Sequence, residues 1–99
     1  MLYAIISQDH PNSLALRQKN RPAHIQRLEA LKSAGRLILA GPHPAIDNIE
    51  AGDAGFTGSL VVAEFFSLED AQTWADQDPY QTGGVYADVT VKPFKHVLP

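Results

Sequence analysis

Apolar positions along this chain follow two periods, one suited to strands and one to helices, and the switches between them mark six segments. LYAIIS, from Leu2, carries apolar and β-favouring residues on both parities and stops at the turn cluster Asp9-His10-Pro11-Asn12, which predicts a strand and a connection. SLALRQKN follows as a short helical stretch capped by Asn12 or Ser13. Pro22 predicts a break in it, because proline lacks an N–H and its ring clashes with the preceding turn. The main helix is expected to restart there, with Pro22 near its first helical position and Gly35 as its stop. Counting about 100° per residue from His24, Leu28 falls at about 40°, Leu31 at about −20°, Ile25 at about 100° and Ala34 at about −80°. A histidine in the first turn therefore sits at the centre of an apolar face.

RLILAGP predicts a second strand, ended by Gly41-Pro42, and HPAIDNIEAGDAGFTG is a connection longer than most in a compact domain. SLVVAEFF predicts a third strand. Ser67 with Asp70 makes a capping-box start to a second helix, whose inward stripe is Leu68, Ala71, Trp74 and Ala75. That helix should end near Gln77, since Asp78 precedes a proline and is pushed towards extended angles. After Tyr80 and the flexible Gly83-Gly84 pair, VYADVTVKPF predicts a fourth strand.

Strand, helix, strand, strand, helix, strand is the split βαβ order. The expectation is an α+β, ferredoxin-like βαββαβ domain over residues 1–99, with an antiparallel four-stranded sheet and both helices on one face. The strands are apolar on both parities (Leu2, Ala4, Ile6 against Tyr3, Ile5; Leu60, Val62 against Val61, Ala63, Phe65), so the second face needs a cover that so short a chain does not supply. A homodimer through that open face is predicted.

Right-handed crossovers bring one set of chain ends together. The end of strand one (Asp9, His10), the start of the main helix (Arg21, His24), the end of strand two (Gly41, Pro42), the start of strand three (Ser59) and the exit of the second helix (Asp78, Tyr80) all belong to one end of the sheet. His24 and Asp78 meet there. A carboxylate facing an imidazole fixes its tautomer and stabilises the imidazolium, a familiar base arrangement, while a helix N-terminus around His24 would favour the neutral ring. Taken singly, each residue also has a structural reading: His24 as a half-buried histidine bonded to a carbonyl, Asp78 as a turn residue bonding its own backbone. Arg21, at about 60° on the same helix, lies beside His24, where it can hold a substrate anion. Tyr80 and Tyr86 either line a pocket or pack against it.

Composition narrows the function. The chain holds 8 Lys and Arg against 11 Asp and Glu, with no basic stripe for a phosphate backbone, so nucleic acid is not an expected partner. No apolar run approaches the roughly 20 residues of a membrane span, and the opening MLYAIISQDH lacks the basic n-region of a signal peptide, so a cytoplasmic protein is expected. There is no cysteine, which removes thiol nucleophiles and cysteine metal sites. His10, His24, His43 and His96 show no metal-ligand spacing, though His10 and His24 could approach one another, and GDAGFTG lacks the strand-to-helix setting of a phosphate loop. Neither metal nor cofactor is expected.

RPAHIQRL, GRLILAGP, GFTGSLVVAEF, SLEDAQTWADQDPY and VYADVTVKPF, in that order, make the chain resemble the YciI family of small bacterial proteins over nearly its whole length. The resemblance is specific at RPAH, at the Ala40-Gly41-Pro42 corner and at Asp78-Pro79-Tyr80. It implies a dimeric ferredoxin-like α/β-barrel, related to muconolactone isomerase, with an active-site His-Asp pair corresponding to His24 and Asp78. One member of the wider family is a dehydrochlorinase acting on a chlorinated hydroxyhydroquinone, and others are domains associated with regulators, so the resemblance suggests proton transfer without naming a substrate.

Two functions fit the sequence. One is a cofactor-independent lyase or isomerase in which His24 takes a proton from a small aromatic, lactone or enolisable substrate and Asp78 orients the ring. Arg21, or a backbone N–H near Gly41 or Ser59, would meet the developing oxyanion, and Pro42 and Tyr80 would complete the pocket. The other is a non-catalytic module that holds a small ligand in the same place.

Overall fold

The expected order of strands and helices is present in the computed structural model, which describes every residue from Met1 to Pro99. Strand β1 (Leu2–Asp9) leads to α1 (Leu14–Ser33), β2 (Leu37–Pro44), a single 3-10 turn (Gly52–Ala54), β3 (Phe56–Glu64), α2 (Leu68–Asp76), the short α3 (Pro79–Thr82) and β4 (Tyr86–Phe94). The sheet order is β2-β3-β1-β4 with every neighbouring pair antiparallel, the ferredoxin-like arrangement. Register sets which residues share a face. Tyr3, Ile5 and Ser7 lie opposite Ala63, Val61 and Ser59, and these pairs point towards the helices.

The core lies between that face and the helices. Tyr3, Ile5, Val61, Ala63 and Phe65 pack against Leu28 and Leu31 of α1 and Ala71 and Ala75 of α2. Small residues on α2 allow it close to the sheet, whereas Leu68, expected in the inward stripe, is 46% exposed at the first turn. Ser67 caps this helix as its sequence suggested, accepting a hydrogen bond from the Asp70 N–H at 3.1 Å.

Two local expectations require correction. Pro22 does not interrupt α1, which runs unbroken for 20 residues. The proline is exposed and lies at about 160° from His24, on the outer face, where the carbonyl it leaves without an amide partner faces water. His24 is thus in mid-helix, and the favourable effect of a helix N-terminus on its neutral form does not apply. The long connection is also shorter than its composition implied: β2 continues to Pro44 and β3 begins at Phe56, with the Ala45 N–H bonded to the Gly55 carbonyl at 2.9 Å. Beyond the expected end of α2 at Gln77, the chain makes one further turn of helix, α3, that the sequence pattern did not indicate, capped by Asp78 with Pro79 at its first position and ending before the Gly83-Gly84 pair.

Candidate functional site

A cavity of about 430 Å³ opens between α1 and the sheet. Arg17, Arg21, His24 and Leu28 line it from α1, Gly41 and Pro42 from β2, Phe56, Ser59 and Val61 from β3, and Tyr80 from α3. Of the residues assigned to the site from sequence, Arg21, His24, Gly41, Pro42, Ser59 and Tyr80 therefore line one cavity, and Asp78 stands behind His24.

Asp78 performs two tasks with one carboxylate. Its Oδ1 accepts the Tyr80 backbone N–H at 2.9 Å, capping α3, and also receives His24 Nδ1 at 2.8 Å; Oδ2 lies 3.1 Å from the same nitrogen. The turn reading and the pairing reading of Asp78 thus hold together. Both partners are buried, His24 at 6% and Asp78 at 3% exposure. A carboxylate can only accept, so the proton of a neutral ring sits on Nδ1 and the lone pair on Nε2, which bonds nothing else in the chain. The ring lies flat on Tyr80, centroids 3.9 Å apart and planes 10° from parallel, which fixes its plane as Asp78 fixes its rotation.

Arg17 was not among the residues singled out from sequence. It is 5% exposed, and its guanidinium reaches Asp9 through Nε (2.6 Å) and Nη2 (3.0 Å), the Gly58 carbonyl (2.9 Å) and Ser59 Oγ (2.9 Å). Burial alone would lower its proton affinity, but the hydrogen bond and charge of Asp9 outweigh that and leave it above its ordinary value. The same cation lies 5.2 Å from the Phe56 ring centroid and 5.0 Å from that of Tyr80. A continuous count along α1 puts Arg17 at about 20° from His24, on the same face; reading a break at Pro22 severed that phase.

Ser59 consequently has an arginine as its partner and no base, so its hydroxyl belongs to the scaffold. Tyr86 packs edge-on against Tyr80 at 5.7 Å and does not line the cavity; burial pushes its phenol up to about 12. The Tyr80 phenol is also held above its ordinary value, by burial, with the Arg17 and Arg21 cations pulling the other way, so it remains a hydrogen-bond donor at neutral pH. His10 is exposed and apart from the cavity, its backbone N–H bonded to the Val85 carbonyl at 2.8 Å. No three His, Cys, Asp or Glu side chains gather as metal ligands, and no helix is long and apolar enough to cross a membrane.

The model of the YCII-related domain matches residues 1–95. The chain belongs to that family. Protein YciI of Escherichia coli O6:H1 is 59% identical over 98 residues, covering 99% of this chain and all of the relative, and an uncharacterized protein of Haemophilus influenzae is 54% identical over the same length. Among solved structures, this YCII-family chain is similar to 5-chloro-2-hydroxyhydroquinone dehydrochlorinase (TftG) from Burkholderia phenoliruptrix AC1100, in complex with 2,5-dihydroxybenzoquinone. The two share 31% identity at a TM-score of 0.85, over 98% of this chain and 96% of that one. The ferredoxin-like fold read from the sequence is common to both.

Proposed function

We propose that this protein is a cofactor-independent enzyme, a lyase or isomerase, that moves a proton with His24. The observation that carries the proposal is the buried His24–Asp78 pair, bonded at 2.8 Å through Nδ1, on a ring that lines a cavity. Nε2 takes a proton from carbon or oxygen of a small aromatic, lactone or enolisable substrate, and the electron pair left behind moves into the adjoining π-system. In a lyase a leaving group such as halide departs with its own electron pair. In an isomerase the imidazolium returns the proton to another atom.

Asp78 orients the ring and stabilises the imidazolium. No acidic residue lines the cavity, and Arg21 has no carboxylate partner, so a substrate oxygen that gains negative charge meets Arg21 and the Tyr80 hydroxyl. The dehydrochlorinase of like fold supports this reaction class.

We also propose that the working unit is a homodimer. By register, Leu2, Ile6, Leu39, Leu60 and Phe94 share the sheet face away from the helices, and Ile6, Leu39 and Phe94 are 37%, 49% and 39% exposed. Sedimentation at micromolar concentration tests this: a dimer is expected, and a monomer ends the proposal.

The site is tested by NMR titration of the His24 ring in wild type and in Asp78→Asn, followed by a screen of phenolic and lactone substrates. The ring's titration midpoint should fall when Asp78 is neutralised, and His24→Ala should lower turnover by about 10²–10⁴-fold. Turnover unchanged in His24→Ala would dispose of the enzyme reading in favour of a ligand-binding module.

A further inference from the structure

We infer that Arg27 is a positioning residue that sets, through Asp78, how tightly His24 holds a proton. The inference concerns the pair on which the proposed function rests, but the experiment below separates the two. Arg27 follows His24 by three residues on α1, at about −60°, and approaches the Asp78 carboxylate from the side away from Arg21. Its guanidinium is held in place: Nη2 donates to the Trp74 carbonyl at 2.9 Å, and its central carbon lies 4.3 Å from the centroid of the Trp74 ring.

The remaining terminal nitrogen is unusual. Nη1 is buried, has no hydrogen-bond partner, and lies 3.9 Å from Asp78 Oδ2. A buried donor left open beside a carboxylate costs free energy that closing the bond would recover. The oxygen it faces lies 3.1 Å from His24 Nδ1, so cation and imidazole draw on the same negative charge. Burial lowers the proton affinity of Arg27, and the Asp78 charge offsets part of that.

Other charges near the ring differ in kind. On α1, Arg17 is matched by Asp9 of β1, and Arg21 is exposed. Tyr80 of α3 stacks on the ring, and Tyr86 of β4 lies behind Tyr80, both as neutral phenols. The residues of β2 and β3 that line the cavity carry no titratable group. Asp78 is thus the one carboxylate on the ring, and Arg27 the one other cationic side chain within 4 Å of it. Part of the Asp78 charge is offset by Arg27, so less of it is left to stabilise a positive charge on His24 than Asp78 alone would supply.

The test is an NMR titration of the His24 ring in wild type, Arg27→Gln, Arg27→Lys and Asp78→Asn, with Arg27→Met as substitute should Arg27→Gln not fold. Gln can still donate to the Trp74 carbonyl, so packing is largely kept while the charge is lost. The midpoint should rise by roughly half a pH unit in Arg27→Gln and stay near wild type in Arg27→Lys. A midpoint unmoved in Arg27→Gln but lowered in Asp78→Asn would overturn the role of Arg27 and leave the pair intact. Arg27→Lys rising as far as Arg27→Gln would also overturn it, since shape and not charge would then matter. No movement in Asp78→Asn would remove both this inference and the pair beneath it.

Discussion

Arg17 and Asp9 form a two-pronged ion pair at the end of β1, Nε to Oδ2 at 2.6 Å and Nη2 to Oδ1 at 3.0 Å, with both side chains almost wholly out of water. Because the same guanidinium also holds the Gly58 carbonyl and the Ser59 hydroxyl, α1, β1 and β3 are tied together at the cavity floor.

Breaking that pair from one side leaves a buried carboxylate without a partner. Arg17→Met should cost about 3–5 kcal/mol in urea denaturation. Arg17→Lys should also be destabilising, since a single ammonium cannot reproduce the fork that meets both oxygens of Asp9. Equal stability of wild type and Arg17→Lys would show that the geometry of the pair carries no energy.

Asp78 caps α3 and pairs with His24, and two substitutions separate these tasks. Asn caps a helix about as well as Asp, so Asp78→Asn should lose less than about 1 kcal/mol from the cap while removing the negative charge that faces His24. Asp78→Ala should lose the cap as well, by a further 0.5–2 kcal/mol, about the usual range for such a replacement, as measured by thermal unfolding.

Tyr86 makes stability depend on alkaline pH. Its phenol titrates near 12 in the folded protein because of burial, above the usual value of about 10 expected in the unfolded chain. Between those values the unfolded chain releases a proton that the folded protein keeps, so its contribution is complete below pH 10 or so and declines as pH rises towards 12. Tyr86→Phe should flatten that decline in unfolding free energy; an unchanged slope would assign it to other groups.

Pro22 leaves a gap in the hydrogen-bond ladder of α1 on its exposed face. Pro22→Ala restores the amide to the Gln18 carbonyl and improves helix propensity, at the cost of a more flexible unfolded chain. A net gain of about 1–2 kcal/mol is expected, read as a higher melting temperature.

Gly58 lies opposite Gln8 in the β1–β3 pair, and a Cβ there would overlap the carbonyl oxygen of Ser7. Gly58→Ala should therefore force the two central strands apart and disturb the Arg17 bond to the Gly58 carbonyl. The expected result is a loss of several kcal/mol or failure to fold, checked by circular dichroism and solubility.

By itself the sequence determined the order of elements and the end of the sheet at which the polar residues meet. Hydrophobic period and turn chemistry are local properties, and crossovers have a preferred hand, so sequence order alone brings His24 and Asp78 to one end of the sheet across 54 positions. It also located the Ser67 cap and the extended angles of Asp78, which depend on near neighbours. What only the tertiary structure decided is what depends on the surroundings. A proline interrupts a helix or is tolerated according to the face on which it falls and whether water reaches the carbonyl it frees, and at Pro22 the outer face made it tolerable. That choice settled the phase of α1 and so carried Arg17 onto the cavity wall, where sequence order alone had left it in a separate segment. The approach of Arg27 to Asp78 is of the same kind: it depends on how α2 ends against α1 at Trp74, a packing of two elements that no local pattern encodes.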